Sequence, residues 1–207
     1  MTPLTMTNVL PPTDKAHPWP KQGDWTYEDY LRLPDDGRRY EIIQGVLYVA
    51  NAPSYDHQFI VATLSRLMGN FAADKQMGVI ITAPFEVHLP GIAKPVQPDI
   101  LFIAKDRIPS PGTQIFEGAP DLIVEVLSPS SLRLDQHVKF GAYEQAGVRE
   151  YWIVDPKTRA ITVYSLPENS PEYILLGQFT GNEAVQSRAL EGLSFAASSV
   201  FAPQQET

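Results

Sequence analysis

Cysteine is absent from this chain of 207 residues, and basic residues are outnumbered by acidic ones. Without cysteine, disulfides, thiolate metal sites and cysteine nucleophiles are excluded. Lysine and arginine total 16 against 24 aspartates and glutamates, which gives a net charge of −8, and Arg38-Arg39 is the only adjacent basic pair. This balance argues against a general binder of nucleic acid or anionic membranes. It still permits an enzyme that engages nucleic acid through one local groove.

Long apolar runs are also missing. No run approaches the ~20 residues that a membrane-spanning helix needs, and the N-terminus lacks the pattern of a signal peptide. We therefore expect a cytoplasmic protein without membrane contact. The prolines and weak apolar periodicity of residues 1–24 predict a tail, and the ordinary globular composition of residues 25–207 predicts a single domain.

The order of hydrophobic patterns predicts a mixed α/β fold, with strands flanked by helices and antiparallel additions near the end. Residues 91–95 and 105–118 are predicted loops because they are rich in proline and glycine. The predicted helices and strands, in order, are a helix capped by Thr26, a hairpin over 38–49 turning at Gln44-Gly45, a helix from Ser54 to about Lys75, strands at 79–82, 84–89 and 99–103, a strand within 119–127, a helix from about Ser131 to Ala146, strands at 150–154, 161–165 and 173–179, and the closing segment LEGLSFAASSVF.

The stretch Ala119–Ser131 holds a carboxylate, Glu125, inside an otherwise apolar strand. An unpaired buried carboxylate costs several kcal/mol, so such a residue is normally paired or bound to a metal. Asp99 opens another apolar strand upstream. We therefore hypothesise that Asp99 and Glu125 meet at neighbouring strand ends and hold Mg²⁺ or Mn²⁺, which oxygen ligands suit. Plainer alternatives are a turn residue for Asp99 and a structural ion pair for Glu125.

Lys139, on the helix after the Glu125 strand, is the candidate cation that orients an attacking water or meets charge developing on a phosphate. Asp135 lies four residues earlier and shares its helix face. A surface ion pair between these two residues is the equally weighted alternative. From spacing alone, Glu41 is interpreted as a solvent-facing strand residue, and His57 as a structural or exposed histidine.

Two further patterns are weaker candidates. Asp121 lies on the same strand face as Glu125 but roughly 13 Å away along the strand, so it is interpreted as a strand-entry residue. A serine hydrolase would use Ser128, Ser130 or Ser131, yet no G-x-S-x-G motif surrounds them, and we expect them to cap the next helix.

Taken together, these segments resemble the Uma-two family of endonucleases, within the PD-(D/E)xK restriction-endonuclease-like superfamily. The resemblance covers roughly residues 25–201. The matching segments are YEIIQGVLYV, SYDHQFIVATL, VQPDILFI, GAPDLIVEVLSPSS, DQHVKFGAYEQAGVREYWIVDP and LEGLSF.

The resemblance implies a mixed central sheet flanked by helices and metal-dependent cleavage of phosphodiester bonds. It makes Asp99 and Glu125 the two acids of the motif. The motif lysine is expected at position 127, which is Leu127 here, and the family's displaced lysine matches Lys139. Glu41 becomes an additional acid at the metal, and His57 is expected to line the site.

The sequence therefore favours a Mg²⁺- or Mn²⁺-dependent endonuclease acting on DNA, with Asp99, Glu125, Lys139 and Glu41 as its catalytic residues. Asp135 is a further residue expected to line the site. The alternative is an inactive nuclease-fold module that binds nucleic acid or a protein partner. Cleavage of both strands of a duplex usually needs two sites related by a two-fold axis, so we also expect a homodimer.

Overall fold

The structure is a computed structural model that describes residues 18–50, 52–128 and 134–203. It contains three α-helices, a π-helical segment and thirteen strands within those ranges. In chain order they are α1 (Tyr27–Tyr30), β1 (Arg39–Ile43), β2 (Val46–Ala50), α2 (Tyr55–Asp74), β3 (Gly78–Thr82), β4 (Glu86–Leu89), β5 (Ala93–Val96), β6 (Ile100–Ala104), β7 (Ile115–Glu117), β8 (Leu122–Val126), the π-helix (Leu134–Lys139), α3 (Phe140–Ala146), β9 (Glu150–Asp155), β10 (Ala160–Ser165), β11 (Ile174–Thr180), β12 (Ala184–Gln186) and β13 (Ser194–Ala196).

The largest sheet has six strands in the order β11-β10-β9-β8-β6-β3. Strands β8 and β9 are parallel, and the connection between them carries the π-helix and α3; the other pairs are antiparallel. The central strands β6 and β8 are buried along almost their whole length, as expected for a strand covered on both faces. One face packs against α2 and the closing segment in a single hydrophobic cluster.

A second sheet of five strands, in the order β2-β1-β5-β4-β7, lies against the other face of the first. Ile43, Val87 and Phe116 from the five-stranded sheet share a buried cluster with Ile123 and Ile153 from the six-stranded sheet. A side chain pointing inward from either sheet therefore reaches a common interior. The candidate site lies at this interface.

The predicted mixed α/β class, with strands flanked by helices, is confirmed, as are the hairpin at Gln44-Gly45 and the long helix capped by Ser54. Two predicted loops are wrong in part. Residues 91–95 overlap β5, which pairs with β1 and β4, and residues 105–118 contain β7. Both strands are short, and Pro95 interrupts the pattern of β5, so pairing with distant strands rather than local propensity produces them.

The helix predicted from Ser131 has its start outside the described residues. The described part begins as the π-helix and continues as α3. It ends at Gly147, whose φ of 83° is the left-handed conformation that the sequence predicts there. A π-helical turn is rare and occurs often at functional sites.

The predicted N-terminal tail is described only from residue 18 onward. Gln22 exchanges hydrogen bonds with the backbone of Leu47, and the N–H groups of Gly23 and Trp25 both donate to the Gly45 carbonyl. A Cβ at Gly45 would lie 2.2 Å from the Gly23 oxygen, so glycine is required at this close approach. These contacts attach residues 22–25 to the β1–β2 hairpin, while the division at residue 24 stays a prediction.

Candidate active site

The carboxylates that the sequence selects converge on one pocket of about 330 Å³ between the two sheets. Its lining includes every residue predicted for the site. These are Glu41, His57, Asp99, Glu125, Asp135 and Lys139, and Arg39 joins them.

Strand pairing explains why Asp99 and Glu125 meet. Strands β6 and β8 are antiparallel, with Ile100 opposite Val124 and Leu101 opposite Ile123. The same register carried one residue further places Asp99 opposite Glu125. Residues directly opposite each other on neighbouring strands point to the same face. The predicted meeting at neighbouring strand ends is therefore what the structure shows.

Asp99 is buried and well supplied with donors. Its Oδ1 accepts from Arg39 Nη1 at 2.9 Å, and its Oδ2 contacts His57 Nε2 at 3.1 Å and accepts from the Val126 N–H at 2.9 Å. Burial alone raises the pKa of Asp99, but the hydrogen bond from His57 and the charge of Arg39 outweigh it and lower that pKa to about 2. Asp99 is therefore ionised at neutral pH.

Glu125 is equally buried but has fewer donors. Its Oε1 accepts from Lys139 Nζ at 2.9 Å and from the Tyr143 hydroxyl at 2.8 Å. Burial raises the pKa of Glu125 well above its usual range, and the charge of Lys139 opposes this. The neighbouring charges of Asp99, Asp135 and Glu41 raise that pKa further. An additional cation beside Glu125 would therefore be favoured electrostatically.

Glu41 points into the same interior from the opposite sheet. It lies in β1 on the face of Ile43, which belongs to the cluster between the sheets. Its side chain is buried, so the solvent-facing interpretation is wrong. Glu41 Oε1 accepts from the Gln97 N–H at 2.7 Å, and Oε2 lies 2.9 Å from Lys139 Nζ.

Lys139 joins these acids from the π-helix. Its Nζ lies 2.9 Å from both Glu41 and Glu125 and 3.7 Å from Asp135 Oδ1. Lys139 and Asp135 are both buried, so a surface ion pair between them is excluded. Burial alone lowers the pKa of Lys139, but Glu125, Glu41 and Asp135 outweigh it and raise that pKa above its ordinary value. Lys139 is therefore charged and ion-paired.

The carboxylate oxygens are donors of the kind that divalent cations bind, and the Lys139 ammonium contacts two of these carboxylates, Glu41 and Glu125, at 2.9 Å. Carboxylate oxygens are the ligands that Mg²⁺ and Mn²⁺ prefer. As the side chains stand, the described residues contain no group of three or more His, Asp or Glu side chains able to hold a metal ion. Metal binding therefore requires the Lys139 ammonium to move away from Glu41 and Glu125.

His57 lies in the first turn of α2 and is buried against Asp99. Its backbone N–H donates to the helix-capping Ser54 hydroxyl at 3.2 Å. A carboxylate at Nε2 favours a proton on that nitrogen, which is an assignment from the hydrogen bond. Nδ1 is buried without a partner among the described residues. The structure thus brings His57 into the site through its contact with Asp99.

The weaker candidates lie elsewhere. Asp121 Oδ2 accepts from the Ala104 N–H at 2.9 Å, and its Oδ1 lies 3.1 Å from Arg107, so it ties the end of β6 to β8. Its interpretation as a strand-entry residue agrees with these contacts. Ser128 lies at the rim of the pocket, and Ser130 and Ser131 lie outside the described residues.

Three residues of the site are not predicted from the sequence: Arg39, Gln97 and Tyr143. Arg39 lies two positions before Glu41 and therefore on the same strand face, which was the available signal. Tyr143 follows Lys139 by four positions, the spacing of one helix face. Gln97 acts through its backbone N–H, which no side-chain pattern reveals.

A larger groove of about 620 Å³ lies on the other side of the π-helix, lined by residues such as Gln136, His137 and Gln178. It contains none of the paired carboxylates. The smaller pocket therefore holds the candidate chemistry despite its size.

Comparison with solved structures defines the fold class. The crystal structure of a putative nuclease belonging to DUF820, from Anabaena variabilis, superposes with a TM-score of 0.72 at 20% identity. The match covers 85% of this chain and 97% of that one. At this identity the likeness shows the fold, and the chain accordingly has the fold of that nuclease.

The family model "Uma2: Putative restriction endonuclease" matches residues 27–198. The chain therefore belongs to the Uma2 family, which confirms the resemblance seen in the sequence. Two uncharacterized Synechocystis proteins are similar to it. The protein sll1609 is 27% identical over 63% of this chain and 74% of its own length, and slr1290 is 26% identical over 89% and 93%.

Membership of the Uma2 family supports a nuclease. Among the described residues, no helix has both the length and the apolar character needed to cross a membrane.

Proposed function

We propose that this protein is an endonuclease that hydrolyses phosphodiester bonds in DNA with the help of Mg²⁺ or Mn²⁺. The observation that carries the proposal is the convergence of Glu41, Asp99 and Glu125, from two sheets, on one pocket. Buried carboxylates are costly unless they are hydrogen-bonded, paired with a cation or bound to a metal. Three of them lining one cavity, in a member of a nuclease family, favour a cation site.

Charge balance around Lys139 supports the same conclusion. Glu41, Glu125 and Asp135 all lie within 4 Å of the single Lys139 ammonium. This group carries more acidic side chains than cationic ones. A divalent cation would balance it, with Asp99, Glu125 and Glu41 as ligands.

When bound, such a cation would polarise a phosphoryl oxygen and lower the pKa of a water. The chain's own residues hold the site in place for that chemistry. The Val126 N–H and His57 orient Asp99, the Gln97 N–H orients Glu41, and the Tyr143 hydroxyl orients Glu125.

Lys139 is the residue that would act beside the reacting phosphate. Its ammonium has three N–H donors and no acceptor, so it can orient an attacking water or stabilise negative charge on the phosphate. In the structure those donors face Glu41 and Glu125. Displacement from these acids would free the ammonium for that role.

A second candidate function is a nuclease-fold module that binds a partner without cutting. The observation that favours it is the same closed arrangement, in which the Lys139 ammonium already occupies two of the acids that a metal would need. A homodimer and a cytoplasmic location stay parts of the proposal that the sequence alone suggests.

The test is a thermal-shift titration with Mn²⁺ and Mg²⁺ on the wild type, Asp99→Asn, Glu125→Gln and Asp121→Asn. A ligand that binds only the folded state stabilises it by about 2.7 kcal/mol at a hundred times its Kd. Asp121→Asn is the matched control, because Asp121 is also a buried aspartate after proline but lies outside the pocket. DNA cleavage is measured on the same four proteins.

We expect saturable stabilisation in the wild type and Asp121→Asn, and its loss in Asp99→Asn and Glu125→Gln, together with loss of cleavage. A metal response without cleavage of any nucleic acid would favour the binding module. The absence of a metal response in folded wild type, with and without DNA, would reject the proposal.

A further inference from the structure

Arg39 differs from Lys139 in how many of its donors are already used. Its Nη1 donates to the Gln97 carbonyl and to Asp99 Oδ1, both at 2.9 Å. A guanidinium carries five N–H groups, of which Nη1 holds two. Within the described part of the chain, Nε and Nη2 make no hydrogen bond. Three donors of Arg39 are therefore unused by the described residues.

The Arg39 side chain is partly open to solvent within the pocket. The Arg39 side chain is 23% exposed, compared with 4% for Lys139, and it belongs to the pocket lining. The Nε–H and one Nη2–H of an arginine are parallel and match two oxygens of a phosphate. Arg39 thus presents an anion-binding edge beside Asp99.

A purely structural role for Arg39 would not need this edge. Pairing with Asp99 uses Nη1 alone, and the other Asp99 oxygen already has His57 and the Val126 N–H. The adjacent Arg38 shows the contrast, because its Nε and Nη2 both pair with Asp36 outside the pocket.

We propose that Arg39 binds a backbone phosphate of the nucleic-acid substrate through its Nε and Nη2 groups, while Nη1 stays on Asp99 and Gln97. This assignment rests on the proposed nuclease function and adds a substrate-binding residue to it. Arg39 would thereby offer a nucleic-acid phosphate a partly exposed cation in a pocket that several carboxylates line.

The experiment measures binding of a short fluorescently labelled DNA duplex by anisotropy, with EDTA and with Mn²⁺, across a series of salt concentrations. The proteins are the wild type, Arg39→Gln, Arg39→Lys and the matched control Arg38→Gln. Unfolding curves identify any variant that does not fold, and Arg39→Lys keeps the positive charge if Arg39→Gln is too unstable. Mn²⁺ affinity is measured separately by calorimetry without DNA.

We expect Arg39→Gln to weaken DNA binding by about tenfold or more, the effect of losing a charged hydrogen bond. The slope of log K against log salt should become shallower by about 0.9, the value for one phosphate contact on a duplex. Arg39→Lys should keep the slope and lose part of the affinity, and Arg38→Gln should change neither. Mn²⁺ affinity should be unchanged or higher in Arg39→Gln, because a cation beside Asp99 is removed.

DNA binding that is equal in wild type and Arg39→Gln would overturn the inference and leave the proposed function standing. Loss of Mn²⁺ binding in a folded Arg39→Gln would also overturn it, because Arg39 would then be organising the metal ligands. If the wild type binds no DNA under either condition, the proposed function itself fails, and the inference fails with it.

Discussion

Asp99 and Glu125 occupy matching positions on neighbouring strands, yet their environments shift their pKa values in opposite directions. Both side chains are buried to a similar degree and point into one pocket. Asp99 has the Arg39 guanidinium, a histidine and a backbone N–H, and its pKa is lowered to about 2. Glu125 shares one lysine with two other acids, and its pKa is raised well above its usual range.

The difference shows that burial does not by itself decide the charge of a buried carboxylate. Desolvation raises the pKa of both residues. Donors and a nearby cation outweigh it at Asp99, whereas neighbouring acids add to it at Glu125. Among the described residues, Asp99 has the Arg39 guanidinium as its cation, whereas Glu125 and Glu41 share the Lys139 ammonium. A cation added to this site would therefore be stabilised most strongly by the carboxylates on the Glu125 side.

The largest effect is expected from removing the Lys139 ammonium, the cation that pairs with Glu125. Lys139→Met should lower the free energy of unfolding by about 3–5 kcal/mol, because it leaves buried carboxylates uncompensated. Mn²⁺ should restore part of this loss by balancing the same charges. Urea unfolding with and without Mn²⁺ measures both effects.

The control for that variant is Lys157→Met, at an exposed lysine, which should stay within about 0.5 kcal/mol of wild type. A loss below about 1 kcal/mol in Lys139→Met would mean that the acids around it are already neutral. The inferred difference in charge balance between the Asp99 side and the Glu125 side of the pocket would then be wrong.

Neutralising the two acids in turn compares them directly. Asp99→Asn should cost about 2 kcal/mol at neutral pH, the value that follows from a pKa lowered from 3.8 to about 2. Glu125→Gln should cost less, because its raised pKa means that the fold disfavours the anion. Equal losses of unfolding free energy in the two variants, measured by urea unfolding at pH 7, would contradict the inferred difference between the environments of Asp99 and Glu125.

The loss of stability caused by each of these two substitutions should depend on pH in opposite directions. A lowered pKa means that the stability contributed by Asp99 is complete above about pH 4 and is lost as the pH falls through about 2. A raised pKa means that the contribution of Glu125 is present at low pH and is lost as the pH rises. Unfolding free energies of the wild type and both variants, measured over a pH series, give the two differences. Parallel curves would refute the assignment.

The smallest effect is expected from the donor that serves Glu125 alone. Tyr143→Phe removes the hydrogen bond to Oε1 and should cost about 1 kcal/mol. Tyr151→Phe is the matched control, because this equally buried tyrosine donates to the backbone carbonyl of Asp135. Calorimetry should show altered Mn²⁺ affinity in Tyr143→Phe only. The same change in both variants would indicate a general packing effect.

Most of the architecture could be predicted from sequence patterns, because short stretches of adjacent residues determine most of its helices and turns. The capped helix at Ser54, the turn at Gln44-Gly45 and the left-handed Gly147 are each determined by a few adjacent residues. Strands β5 and β7 were missed because their four and three residues carry little local signal. Pairing with strands distant in sequence creates them.

The candidate site likewise contains residues that the sequence could identify and residues that it could not. An acid inside an apolar strand is visible in the sequence, so Glu125 and Asp99 could be selected without a structure. Glu41 could not be placed, because apolar residues lie on both sides of it in β1 and alternation does not reveal which face is buried. The resemblance to the Uma-two family, rather than the spacing, drew attention to Glu41 and His57.

By itself, the sequence of this protein determined the fold class, the family and the acids that we propose for the active site. These depend on residue type and local order. Only the tertiary structure decided the facing of the two sheets, the closure of Lys139 on three acids, and the unused edge of Arg39. The charge and hydrogen bonding of a buried group depend on neighbours brought together from distant parts of the chain, and no local pattern specifies those neighbours.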